Sequence, residues 1–137
     1  MSKEFNIIES LQIPSDYQSM STVEKLIDKV CNNVGVNEDS YGNVLIAVTE
    51  AVNNAIQHGN NANASLQIDV AVLDSANSVC FSIKDQGSGF DFNNLPDPTS
   101  PENILKENGR GIFLMNNLAD KVEFIGGGNE VSLFFSK

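Results

Sequence analysis

The sequence predicts an α+β fold, a two-layer sandwich in which one mixed, mostly antiparallel sheet is covered by helices on one face. Three observations lead to it. Two stretches between about 15 and 58 place their apolar residues at helical spacing. Two short segments, 66–72 and 79–83, alternate apolar and polar residues as half-buried strands do. Near the C-terminal end, Gly126-Gly127-Gly128 separates two further runs rich in valine and phenylalanine.

Phe5, Ile7, Leu11 and Ile13 fall in mixed alternation up to Pro14 and read as a first strand or strand pair. From about 15 to 34 the apolar residues are Met20, Val23, Leu26, Ile27, Val30 and Val34, a helical pattern that Gly35 closes as its C′ residue. Asn37 caps a second helix, with Glu38 and Asp39 in the first turn, where acids complement the dipole. That helix is expected to run to His58 and end at Gly59. Leu66, Ile68, Val70 and Val72 then alternate with Gln67, Asp69 and Ala71. Val79, Phe81 and Ile83 alternate with Cys80, Ser82 and Lys84 after a turn at 74–78.

Residues 91–108 break both periodicities and hold Pro96, Pro98 and Pro101. A structureless stretch beyond ~12–15 residues is usually functional or disordered; a short helical turn is expected within it at 102–106. Residues 112–118 read as a third helix, and 122–125 and 131–135 as a closing hairpin. No internal repeat and no linker interrupts the chain, so 1–137 are expected to form one domain.

A chain of 137 residues is long enough to build a core without staples. Its 8 basic and 18 acidic residues give a net charge of −10, a surface that repels nucleic-acid phosphates. A nucleotide would need its metal and a few local donors to bind there. No apolar run approaches the ~20 residues of a membrane span, and Met1-Ser2-Lys3-Glu4 opens no signal peptide. A cytoplasmic location is therefore expected, away from membranes and nucleic acid. Cys31 and Cys80, without CxxC spacing, read as reduced core thiols.

Function is most legible in Glu50-Ala51-Val52-Asn53-Asn54-Ala55-Ile56-Gln57-His58-Gly59. On a helical wheel with Glu50 at zero, Asn54 lies near roughly +40°, Gln57 near −20°, Asn53 near −60° and His58 near +80°. Val44, Leu45, Val48, Val52, Ala55 and Ile56 occupy the opposite half. The polar half is either an ordinary solvated face or a binding surface. Its amides favour binding, because a merely solvated face is normally filled with Lys, Glu and Arg, which propagate helices better than Asn does. A carboxylate there can polarise a hydroxyl or water, and an amide oxygen can hold a hard cation.

Two glycine-punctuated segments follow. Asp85-Gln86-Gly87-Ser88-Gly89-Phe90 ends a strand, and is either an Asx-type turn or an acceptor for the exocyclic amine of adenine, with glycines that admit a ligand closely. Gly109-Arg110-Gly111 opens the third helix, where free backbone N–H groups attract anions. Arg110 either adds a donor to phosphate or is solvated. Gly126-Gly127-Gly128 lacks a following Gly-Lys-Ser/Thr and reads as a hairpin turn, not a P-loop. His58, the single histidine, has no partner at zinc spacing.

In this order the segments resemble the GHKL ATPase superfamily, which unites gyrase, heat-shock chaperone, histidine-kinase and mismatch-repair ATPase domains. Residues 50–58 resemble its N-box, 85–90 its first glycine box and 109–115 its second. The run Gly109-Arg110-Gly111-Ile112-Phe113-Leu114-Met115 with Leu118-Ala119-Asp120, and Glu50-Ala51-Val52 with Asn54 and His58-Gly59, are most similar to the anti-sigma-factor serine-kinase branch. Asn53 departs from it, standing where that branch often has a small hydroxyl residue.

The resemblance implies ATP and Mg²⁺ as cofactors, with Asn54 on the metal and Glu50 as general base for an acceptor hydroxyl. It implies Asp85 on the adenine amine, Gly87 and Gly89 beside the base, Gly109, Arg110 and Gly111 on the phosphates, and 91–108 as a lid. The implied activity is a serine/threonine protein kinase acting as an anti-sigma factor or partner-switching regulator, with a sigma factor and a small antagonist protein as partners. A homodimer through the N-terminal strand and first helix is also implied. The alternatives are a non-catalytic ATP/ADP-binding module on the same fold, a histidine-kinase catalytic domain, and an interaction domain that binds no nucleotide.

Overall fold

Asn6–Pro14 (β1), Gln67–Asp74 (β2), Ser78–Lys84 (β3), Lys121–Ile125 (β4) and Glu130–Ser136 (β5) pair into one sheet in the order β1-β2-β3-β5-β4. A computed structural model describes residues 5–59, 65–87, 114–126 and 129–137, with 58 and 59 by backbone alone. All four pairings are antiparallel. The first apolar stretch forms a single strand, and its register against β2 shifts between Ile7 and Glu9. The predicted sandwich is thus found, with helices Met20–Val34 (α1) and Glu38–Asn54 (α2) over the sheet.

Period 2 decides which face the helices cover. Ile68, Val70 and Val72 of β2, Val79, Phe81 and Ile83 of β3, and Val131, Leu133 and Phe135 of β5 are all buried. Their register stacks them in rows, with Val70 opposite Ile83 and Phe81 opposite Leu133. Onto these rows α1 brings Val23, Ile27 and Val30, and α2 brings Val44, Val48 and Val52, every one enclosed. The second helix packs on β5 and β3 and against α1. Helix α2 therefore lies over the middle of the sheet, and its polar half has to face away.

Local chemistry sets the end of α1 and the start of α2 where the sequence predicts them. Gly35 adopts φ 76°, which favours glycine, and its N–H and that of Val36 both donate to the Cys31 carbonyl. Asn37 caps α2 by accepting from the Asp39 N–H at 2.8 Å. A tyrosine hydroxyl, from Tyr41 of α2, donates to Asp28 of α1 and ties the two helices together. The Lys29–Glu9 ion pair, at 2.8 Å, links α1 to β1. At the closing hairpin Gly126 has φ 61°, and a Cβ there would stand 2.6 Å from the Asn129 side-chain oxygen. The left-handed φ favours glycine at 126; residues 127 and 128 lie outside the described residues.

One expectation is corrected. The second helix does not run as a regular α-helix to His58: α2 ends at Asn54 and Ala55–Gly59 forms a π turn. The Ala55 N–H is shared between the carbonyls of Ala51 and Val52. In i→i+5 bonding each residue advances by less than the ~100° of an α-helix, so the wheel positions of Gln57 and His58 do not hold. Apolar spacing gave no sign of this, since Ala55 and Ile56 are buried as a continuing helix would bury them. Of the third helix, 114–118 is helical and 112–113 lie outside the described residues, as do 91–108.

Gly42 sits inside α2 with an ordinary helical φ and no atom within 4 Å of where a Cβ would stand. Glycine there costs the helix about 0.8–1 kcal/mol relative to alanine, and nothing packed against it needs the space. Gly42→Ala is expected to stabilise the fold by about 0.4–1 kcal/mol, read as a higher urea midpoint at unchanged slope. Leu133→Ala, which empties a fully buried position, is expected to cost about 2–5 kcal/mol. A Gly42→Ala midpoint below that of the wild type would show that the helix needs glycine at 42.

Candidate functional site

With Val44, Ala47, Val48, Ala51 and Val52 committed to the core, α2 presents Glu50, Asn53 and Asn54 half-buried on its other side. Glu50 and Asn54 are one turn apart, as the sequence predicts. The Thr49 hydroxyl turns back to the Leu45 and Ile46 carbonyls at 2.7 and 3.1 Å and so stays bound to its own helix. Gln57 follows in the π turn. Its Oε1 is enclosed and accepts no hydrogen bond among the described residues, a state that costs about 1–3 kcal/mol unless a donor arrives.

Asp85 stands at the end of β3, the middle strand of the sheet, and is only 8% exposed. Its N–H donates to the Asn129 carbonyl at 2.9 Å, across from the start of β5. Its Oδ1 accepts from the Gly87 N–H at 2.8 Å, so the Asx-type turn foreseen in the sequence is present. Oδ2 takes no part in that turn. Gln86 clasps the other side: its Oε1 accepts from the Gln67 N–H at 2.5 Å, at the start of β2. The result is a buried carboxylate oriented by its own turn, on a segment tied to both neighbouring strands. Burial raises its pKa above the ordinary 3.8, partly opposed by the Gly87 N–H.

The structure therefore places Glu50 and Asn54 on one turn of α2, and Asp85 and Gly87 at the end of the strand beneath that helix. Gly89, Gly109, Arg110 and Gly111 lie outside the described residues. The helical segment that follows the last of these is anchored by Met115 and Ala119, both buried, and by Asp120, whose carboxylate accepts from the Ser136 N–H at 2.5 Å. A hollow of about 650 Å³ lies on the opposite face of the sheet, lined by Phe5, Leu73, Cys80 and Phe134 among others, and no predicted site residue lines it. Cys31 and Cys80 are buried free thiols whose pKa is pushed up to about 11 by burial, so both stay protonated at neutral pH.

Sequence reasoning missed two features of this region. The wheel sets Gln57 near roughly −20° on the polar half and gives no sign that its Oε1 is enclosed, because the π turn that carries it is not encoded in periodicity. The Asn129 carbonyl, a backbone partner of Asp85, leaves no mark in the sequence.

The raised pKa of Asp85 has a definite sign. The folded state holds this proton more tightly than the unfolded chain, so its contribution to stability is fully present below pH 3.8 and is lost as pH rises through the folded value. Asp85→Asn keeps the acceptor for the Gly87 N–H and removes the titration. Relative to that variant, the nucleotide-free wild type is expected to lose stability as pH rises above the ordinary 3.8, measured by urea unfolding across an acid-to-neutral series. A stability difference that stays flat across that range would contradict the burial of the charge.

Comparison with known proteins agrees with the fold. The serine-protein kinase RsbW of Bacillus cereus (strain AH820) is 29% identical over 131 residues, covering 91% of this chain and 81% of the relative. The serine-protein kinase RsbW of Oceanobacillus iheyensis is 27% identical over 119 residues, covering 82% and 75%. Among solved structures, the crystal structure of the RsbU and RsbW domains of a Mycobacterium tuberculosis protein superposes with a TM-score of 0.58 at 14% identity. That match covers 94% of this chain and 32% of the larger one, and concerns the fold alone. A model of the histidine kinase-like ATPase domain matches residues 13–135, nearly the whole chain, and the chain belongs to that family.

Proposed function

We propose that this chain is an ATP-dependent serine/threonine protein kinase that acts as an anti-sigma factor or partner-switching regulator and phosphorylates a hydroxyl on a small antagonist protein. The observation that carries this reading is Glu50, a half-buried carboxylate one helical turn from Asn54 in a member of the histidine kinase-like ATPase family. The relatives named serine-protein kinase RsbW match over most of their length and support the same activity.

The residues present fit ATP and Mg²⁺. Asp85 is a buried, oriented acceptor with Oδ2 outside its turn, suited to an exocyclic amine and unsuited to the carbonyl of guanine. Asn54 offers a neutral oxygen, which matches a cation that takes its remaining ligands from phosphates and water. The enclosed, unpartnered Gln57 Oε1 is suited to a donor brought by a ligand. The metal nucleotide, when bound, supplies the transferable phosphoryl group and neutralises its charge. Asn54 then fixes the metal end of the site and Asp85 the base end. Glu50 accepts the proton of the incoming hydroxyl and orients its oxygen. Gly87 gives the chain a close approach to the base, and by family resemblance Gly89 shares that role, while Gly109, Arg110 and Gly111 line the phosphates under a lid at 91–108.

A sigma factor is the second protein partner in this reading. Homodimerisation would use β1, an edge strand whose Ile7 is 68% exposed, together with α1. Among the described residues no helix is long and apolar enough to cross a membrane; residues 1–137 would act as one domain in the cytoplasm.

Labelled ATP incubated with small antagonist domains from the same genome tests the activity. Glu50→Ala is expected to retain ATP binding and lose phosphate transfer by at least about a hundredfold, the usual size of a general-base effect. Transfer at the wild-type rate would remove Glu50 from that role, and binding without transfer by the wild type would favour the non-catalytic module. Asn54→Ala is expected to abolish the Mg²⁺ dependence of ATP affinity, read by titration with and without the metal.

A further inference from the structure

On the solvent side of α2, the stripe that leads to Glu50 is built from residues a solvated helix does not favour. Ile46, one turn before Glu50, is 45% exposed. It is β-branched and apolar at a position open to water, where Lys, Glu or Arg would serve a helix better. Gly42, one turn before Ile46, is exposed, helical in φ and free of any neighbour within 4 Å of its missing Cβ. Neither packing nor backbone geometry accounts for it. Departures from local preference that the fold does not explain are expected at working surfaces, and here two stand on one face, in line with the proposed base.

We propose that Gly42 and Ile46 form the docking platform for the acceptor segment of the protein substrate, an inference that rests on the kinase reading above. The occupant follows from continuity with the site. Asn54 marks the metal end of α2 and Glu50 the acceptor end, so a hydroxyl reaching Glu50 comes with its flanking chain along the preceding turns. One helical turn, ~6 Å for four residues, matches two residues of extended chain at ~3.3 Å each. An acceptor segment lying along the stripe puts an apolar side chain, two positions from the Ser or Thr, on Ile46. Its backbone two positions further on lies against Gly42, where a side chain would hold it off. Glu38 and Asp39, both exposed, close the stripe, so a Lys or Arg about six positions from the acceptor completes the match.

Steady-state transfer to the small antagonist domains of the same genome, with wild type, Ile46→Ser and Gly42→Gln, tests the proposal. Both variants are expected to raise KM for the protein substrate by about tenfold while leaving kcat and the affinity for ATP unchanged. Gly42→Gln replaces a poor helix former by a good one, so its melting temperature should rise, and lost docking cannot then be put down to lost folding. KM within twofold of the wild type in both variants would overturn the proposal. So would variants that alter only self-association in sedimentation, which would make the stripe a contact between copies of this chain. A wild type that transfers phosphate to none of these domains defeats the kinase reading instead. Calorimetric titration of the same domains into the ATP-bound protein then reads docking alone, and binding that is absent, or equal in wild type and variants, overturns the platform.

Discussion

The seam between α2 and the middle of the sheet is the contact on which everything else depends. Val44, Val48 and Val52 are fully enclosed against the rows formed by β3 and β5. Because those three positions are fixed, so is the rotation of α2 about its axis, and the direction in which Glu50 and Asn54 point follows from it. The same seam explains why the proposed site residues, among those described, come from two places. One group rides on the helix and the other ends the strand beneath it. Each of the buried valines contributes on the order of 1.5–3 kcal/mol by removing apolar surface from water, far more than any surface ion pair of the fold. The Lys121–Glu123 pair, at 3.3 Å and well exposed on both sides, illustrates the contrast.

The Asx-type turn at Asp85 is compatible with the chemical role proposed for this residue, so two readings that the sequence presents as alternatives can share one carboxylate. One carboxylate oxygen closes the turn on the Gly87 N–H, while the peptide N–H of the same residue extends the sheet to the Asn129 carbonyl. An acid fixed at two points loses little freedom when it meets a ligand, the condition under which a single hydrogen bond discriminates between similar bases. The raised pKa is the counterpart of this arrangement: a carboxylate with little water around it is an eager acceptor.

Much of this was legible in the chain because short-range chemistry and long-range packing agree. The valine rows of β2, β3 and β5, the αL glycine at 35 and the Asn37 cap are each written in a few adjacent residues, and the structure uses them as they read. The polar face of α2 could be drawn from 3.6-residue periodicity for the same reason. What could not be read depends on contacts remote in sequence or on helix geometry outside the α period. The insertion of β5 between β3 and β4 follows from no local pattern. The π turn that encloses Gln57 begins where the apolar code still calls for an α-helix. The exposure of Ile46, by contrast, agrees with the period, which sets it near roughly −40° from Glu50 on the polar half.

Lys137 gives the molecule a mechanical character. Its N–H donates to the Asn77 carbonyl at 3.0 Å and its ammonium pairs with Asp74 at 2.7 Å, so it is buttoned onto the β2–β3 hairpin. The strand before it, β5, is an inner one, paired with β3 over seven positions and with β4 over five. Tension applied at Lys137 along β5 cannot peel the strand bond by bond. It loads both ladders in shear, and their hydrogen bonds have to give way together, which makes this end of the chain the stiff handle of the domain.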